Sequence, residues 1–163
     1  MAKKRNVKVI IFDIDGTLSS EVSWLKLTEG LGASANKHAE IFNKYLKREI
    51  TYKKAKGNLI KLWHSTGNAN KKYMTNIFNS WKLKEDAREV IEYLKKYYKI
   101  LLISGSVDLY VKTVAEKLGI EDWYANSIID WDLKGNLIDF HYFRNQAAKK
   151  IGTVQTIQEK TLS

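Results

Sequence analysis

The sequence predicts an α/β fold: a parallel sheet with crossover helices and a long helical insertion between its first two strands. Three observations predict it. Val7 to Phe12 and Ile100 to Ile103 are short, continuous apolar runs rich in β-branched residues, the pattern of strands buried on both faces. Amphipathic segments of helical length flank the second run. Between Ser20 and Trp81 several helix-length periodic segments occur and no strand-like run does.

In chain order, the first strand ends at Asp13 and opens on a turn at Gly16. The insertion is broken at Gly30-Leu31-Gly32, at Glu49-Ile50-Thr51 and at Ser65-Thr66-Gly67-Asn68, which separates it into short helices. Glu85 to Tyr98 aligns Val90, Ile91, Leu94 and Tyr98 on one face, as expected of a helix covering a sheet. The second strand closes at Ser104-Gly105-Ser106. A helix then runs from Val107 to Leu118, with Val111, Val114, Ala115 and Leu118 inward and Gly119 as its C-terminal cap. Strand and helix alternate, which implies parallel pairing. Ser127 to Phe140 is expected to form a hairpin turning at Lys134-Gly135-Asn136.

A chain of 163 residues holds one domain, or a core with a small inserted module. Apolar residues make up 44% and aromatics 12%, which excludes a disordered chain. No cysteine is present, so disulfides, thiolate catalysis and sulfur-ligated zinc are ruled out, and a cytoplasmic location is expected. The apolar run after the basic N-terminus is too short for a signal peptide or a membrane span. The net charge of +10 raises a nucleic-acid partner, but arginine occurs only at positions 5, 48, 88 and 144. The excess is lysine scattered along the chain, which reads as a solvated surface first and as an attraction for an anionic substrate second.

Asp13 and Asp15 stand just past the first strand, where open α/β sheets bind their ligands. Two carboxylates so placed repel one another and favour a hard cation such as magnesium, which also accepts phosphate oxygens. One carboxylate can then attack phosphorus while the other handles protons. A strand-end turn with both acids facing water is the plainer alternative.

Phe12-Asp13-Ile14-Asp15-Gly16-Thr17-Leu18, with its preceding apolar strand, resembles the first signature of the haloacid dehalogenase superfamily. That resemblance implies a Rossmann-like core and Mg2+-dependent phosphatase chemistry. Asp13 would be the nucleophile that becomes an aspartyl-phosphate, and Asp15 the general acid and base. Both would be metal ligands, Asp13 through its carboxylate and Asp15 through its backbone carbonyl. The family's second signature, a Ser or Thr closing the next core strand, fits Ser104, with the Gly105 amide beside it for the phosphoryl group. A serine N-cap of the following helix, at Ser106, is the other reading of this segment. The third signature is a lysine; spacing favours Lys150, then Lys149, then Lys160. The fourth, an acidic loop completing the metal site, is absent, and family spacing places it beyond Ser163. Asp130 and Asp132 do not replace it.

The insertion stands where one branch of the superfamily carries a small helical cap, and the whole most resembles phosphoserine phosphatase-like hydrolases. The expected division is a core of residues 1–19 and 82–163 and a cap of residues 20–81. Glu21, Trp24 and Arg48 are candidate substrate contacts from the cap; for each, packing or solvent exposure is the competing reading, and Trp63 and Trp81 read as cap core. His38, His64 and His141 fit no metal spacing. A phosphatase for a small phosphorylated metabolite is the leading expectation. A nucleic-acid-end phosphatase or nucleic-acid-binding module, and a non-catalytic partial domain, are the alternatives.

Overall fold

The computed structural model of the protein describes residues 8–142. Strand β1 (Val9–Phe12) lies at one edge of a four-stranded sheet. Four helices follow it: α1 (Ser23–Gly30), α2 (Ala35–Leu46), α3 (Tyr52–His64) and α4 (Lys71–Ser80). Then come α5 (Ala87–Leu94), β2 (Lys99–Val107), α6 (Asp108–Leu118), β3 (Asp122–Trp131) and β4 (Leu137–Tyr142). The sheet order is β1-β2-β3-β4; β1, β2 and β3 are parallel, and β4 runs antiparallel to β3. No helix among the described residues is long and apolar enough to cross a membrane.

The four insertion helices form where the breaks predict. Ser34, Thr51 and Asn70 each accept a bond from the amide three residues on, supplying an acceptor for a first-turn N–H of α2, α3 and α4. Gly119 ends α6 in the left-handed conformation at φ +59°, which a side chain would strain.

Three expectations need correction. β3 begins at Asp122 rather than Ser127: its first half pairs parallel with β2 and its second half antiparallel with β4, so one strand serves both ladders. Asp122 to Asn126 offers an apolar stretch of only three residues, Trp123 to Ala125, with no alternation, and it pairs with β2. Helix α5 is shorter than the periodic segment, and Val90 is 40% exposed while Ile91 is fully buried. Ser106 does not cap α6, because Val107 occupies the N-cap position.

Ile100 and Leu102 face α5 and α6 in the main core, whereas Leu101 and Ile103 point to the opposite sheet face beside Val9. The main buried cluster is continuous from Leu102 of β2 and Val111 of α6 through Phe78 to Leu27 and Trp63 of the inserted helices. Further ties bind the insertion to the rest. Lys117 of α6 donates to the carbonyls of Phe78, Asn79 and Trp81 at the end of α4. Lys56 of α3 pairs with Asp139 of β4 at 2.8 Å, and Leu137 donates to the Ala69 carbonyl.

A buried polar node sits among the insertion helices. Thr28 Oγ1 donates to the Trp24 carbonyl, accepts from Trp63 Nε1 at 2.8 Å, and shares a 2.7 Å hydrogen bond with His38 Nδ1. Burial pushes the His38 imidazole down from 6.5 to about 4, so the folded protein holds it neutral. Below pH 6.5 the unfolded chain takes up a proton that the folded one refuses until about pH 4. Stability is therefore full above pH 6.5 and falls as pH drops through that window, by about 3 kcal/mol in all. Urea midpoints for the parent and His38→Gln at pH 7 and pH 4.5 check this: the substitution should flatten the difference.

Candidate active site

β1 delivers its carboxylates through a tight turn. The Ile14 side chain is fully buried and anchors the loop, and the Ile14 carbonyl accepts from the amides of Thr17, Leu18 and Ser19 at 2.9 to 3.1 Å. Gly16 sits at φ +74°, which allows the chain to reverse this sharply. Asp13 is half-buried directly after the strand, and its Oδ1 accepts from the Ile14 amide at 2.8 Å. Asp15 is also half-buried. Its Oδ2 accepts from the Ser23 amide at 2.9 Å and the Ser23 hydroxyl at 2.7 Å, while its Oδ1 is buried with no hydrogen-bond partner among the described residues. Burial raises the Asp15 pKa above the usual carboxylate value; the Ser23 bonds oppose the rise and the negative charge of Asp13 adds to it.

β2 supplies the second loop. Its register with β3 holds through Ser104↔Ala125 and resumes at Val107↔Ser127, so one extra residue of β2 bulges out of the ladder there. That irregularity presents Ser104-Gly105-Ser106 at the strand end beside β1. Ser104 is buried and its Oγ accepts from the Ser106 amide at 3.3 Å. Phe12 pairs with Leu102, so Asp13 and Ser104 leave adjacent parallel strands within two residues of that shared rung.

The structure thus brings together Asp13, Asp15 and the Ser104-Gly105 loop. Glu21 instead is exposed and forms an ion pair with Lys26. Arg48 is exposed in the turn after α2 with φ 60°, and no bond joins its side chain to the site among the described residues. Trp24 is a contact of another kind than expected: its Nε1 donates to the Gly105 carbonyl at 3.2 Å while its ring stacks with Trp63 and lies tilted against Phe140. Trp63 and Trp81 are buried, as read. Lys149, Lys150 and Lys160 lie outside the described residues. The residue that sequence reasoning missed is Ser23, whose hydroxyl also lies 2.6 Å from that of Ser106. A serine at a helix start carries no mark of a partner eight residues upstream.

Two cavities lie nearby, and neither is lined by Asp13, Asp15 or Ser104. One of about 490 Å³ lies between the chain segments entering and leaving the insertion, lined by Ser19, Glu21, Lys26, Lys82 and Lys84 among others. The other, about 560 Å³, is largely apolar and runs between α2, α3 and β4 past Phe42, Tyr45 and Phe140.

The donors present fit a hard cation in part. Two carboxylates repel, and the bare buried Oδ1 of Asp15 is what a cation or a proton would satisfy. No cluster of three acidic, histidine or cysteine side chains suited to a metal occurs among the described residues.

Fold and site together define a class: α/β proteins presenting paired carboxylates and a serine-glycine loop at the carboxyl ends of adjacent parallel strands. A family profile described as "haloacid dehalogenase-like hydrolase" matches residues 7–139. The chain belongs to the haloacid dehalogenase-like hydrolase family. It is 26% identical to a phosphoserine phosphatase from Archaeoglobus fulgidus, over 96% of this chain and 44% of that protein, so it spans less than half the length of that relative. Among solved structures it resembles a phospho-aspartyl intermediate analogue of phosphoserine phosphatase, with TM-score 0.69 and 18% identity over 95% of this chain and 74% of the other. A HAD family hydrolase from Salmonella enterica serovar Typhi gives TM-score 0.73 at 12% identity, over 96% and 54%. These two likenesses establish the shared fold.

Proposed function

We propose that the chain is the catalytic portion of a Mg2+-dependent phosphomonoesterase that forms an aspartyl-phosphate on Asp13. The observation that supports this most is the pairing of two unlike carboxyls. Asp13 has its Oδ1 oriented by a backbone amide, while Asp15 is pushed towards its protonated form by burial and by its neighbour. In the first step an Asp13 oxygen attacks phosphorus, the bond from phosphorus to the ester oxygen breaks, and the Asp15 proton passes to the departing oxygen. In the second, Asp15 takes a proton from water as the water oxygen attacks phosphorus, freeing phosphate and the Asp13 carboxylate.

The Ser104 hydroxyl and the Gly105 amide would bind the phosphoryl oxygens, with Lys150 as the proposed third-motif cation. Asp13 through its carboxylate and Asp15 through its carbonyl would hold Mg2+, which when bound offsets the negative charge of the site and the phosphate. Residues 20–81 would serve as the cap that excludes water and selects a small phosphorylated metabolite, over a core of residues 1–19 and 82–163. The cysteine-free composition supports a cytoplasmic setting.

Hydrolysis of an aryl phosphate by the chain tests the reading. Activity should disappear on chelation with EDTA and return with added Mg2+. Hydrolysis indifferent to the metal, or none under any condition, counts against it.

A further inference from the structure

Helix α1 enters without a cap of its own: Val22, at its N-cap position, supplies no side-chain acceptor. The leading amides of a helix need acceptors, and a negative group there is favoured by the peptide dipoles. Here the acceptor comes from the candidate catalytic turn. Asp15 Oδ2 takes both the Ser23 amide and the Ser23 hydroxyl. A hydroxyl has one proton, and the carboxylate Oδ2 can only accept it. The 2.6 Å contact between Ser23 and Ser106 is then satisfied by the Ser106 hydroxyl donating to Ser23 Oγ. Ser106 in turn donates its amide to Ser104 Oγ. One residue of the insertion therefore joins the acid-base carboxyl to the phosphoryl-binding loop. Ser23 and Ser106 are 4% and 1% exposed, so water is poorly placed to substitute for either bond. Trp24, the next residue, adds its own bond to Gly105.

We propose that Ser23 is a positioning residue for the acid-base step: it holds Asp15 by Oδ2, leaves Oδ1 as the oxygen for proton transfer, and makes the seating of α1 a condition of that orientation. This rests on the phosphomonoesterase reading above. A residue that orients the proton donor should matter most where the leaving oxygen needs a proton. An alkoxide needs one; a nitrophenolate, which leaves readily as an anion, hardly does.

The test compares kcat/KM of the full chain for an alkyl phosphate and for p-nitrophenyl phosphate. Ser23→Ala should lower the alkyl value on the order of 10-fold more than the aryl value. Ser23→Thr, which keeps the donor, should retain the parent ratio of the two. An equal loss on both esters in Ser23→Ala would indicate a merely structural role and overturn the proposal. Amide hydrogen exchange provides a reading without turnover: Asp15→Ala should lose protection in the first turn of α1 and not in α2 or α3. Unchanged protection there overturns the tether. If the parent hydrolyses neither ester, the phosphatase reading fails and the positioning role with it, while the exchange result still decides whether Asp15 caps α1.

Discussion

Asp13→Asn is expected to lower aryl phosphate hydrolysis on the order of 10⁴-fold or more, with the fold intact. The amide keeps the shape of the carboxyl, and its oxygen can still accept from the Ile14 amide, so the turn after β1 has no reason to rearrange. What disappears is the anionic oxygen that must bond to phosphorus. Loss of its charge also relieves the repulsion that helps raise Asp15, so the substitution leaves Asp15 protonated less of the time as well as removing the nucleophile. Steady-state kinetics with Mg2+, together with an unchanged far-UV circular dichroism spectrum, checks both halves. Turnover that survives in the asparagine variant would sink the covalent mechanism, whatever the fate of the fold.

Trp63→Ala should destabilise the protein by about 4 kcal/mol, the range for truncating a large buried aromatic. Trp63 is fully buried, lies 6.0 Å from the Trp24 ring and 5.8 Å from the Phe140 ring, and meets His38 edge-on. Its Nε1 also supplies one of the three bonds at Thr28. Truncation opens a cavity where α1, α2, α3 and β4 meet and leaves that hydroxyl short of a donor. Trp63→Phe keeps most of the packing and should cost only about 1 to 2 kcal/mol, largely the hydrogen bond and the smaller ring. Urea midpoints separate the two variants. A loss below about 1 kcal/mol for the alanine would mean that the inserted helices do not depend on the shared aromatic cluster.

The parts of the fold that could be read from sequence are those whose signals are local. β1 and β2 announce themselves as continuous apolar runs, but only β2 is buried on both faces; β1 is an edge strand and its Ile11 is 41% exposed. The helix breaks are visible because Gly32 and Gly67 take left-handed conformations at φ +88° and +74° and because Thr51 accepts from the amide three residues on. The first half of β3 is hard to read because its partner is β2, far away in the chain, and Val90, about 100° round α5 from the fully buried Ile91, falls outside the buried stripe. The same divide runs through the site. Asp13, Asp15 and Ser104 are legible from their places at strand ends. Ser23 and the role of Trp24 are not, since each is defined by a partner distant in the chain, 81 residues away for Trp24 and Gly105. Glu21 is exposed and pairs with Lys26, five residues on.

The extra residue in β2 between Ser104 and Val107 also bears on how such a chain can change length over generations. Deleting one residue there would let the ladder run without interruption from Ser104↔Ala125 to Val107↔Ser127 and would draw the bulged loop into the strand. Ser106 would lose its approach to Ser23, while Val107 would keep its partner and its place in the core. Insertions and deletions are therefore expected to collect in the turn at residues 132–136 or between α2 and α3, while the count of residues from Ser104 to Val107 stays fixed.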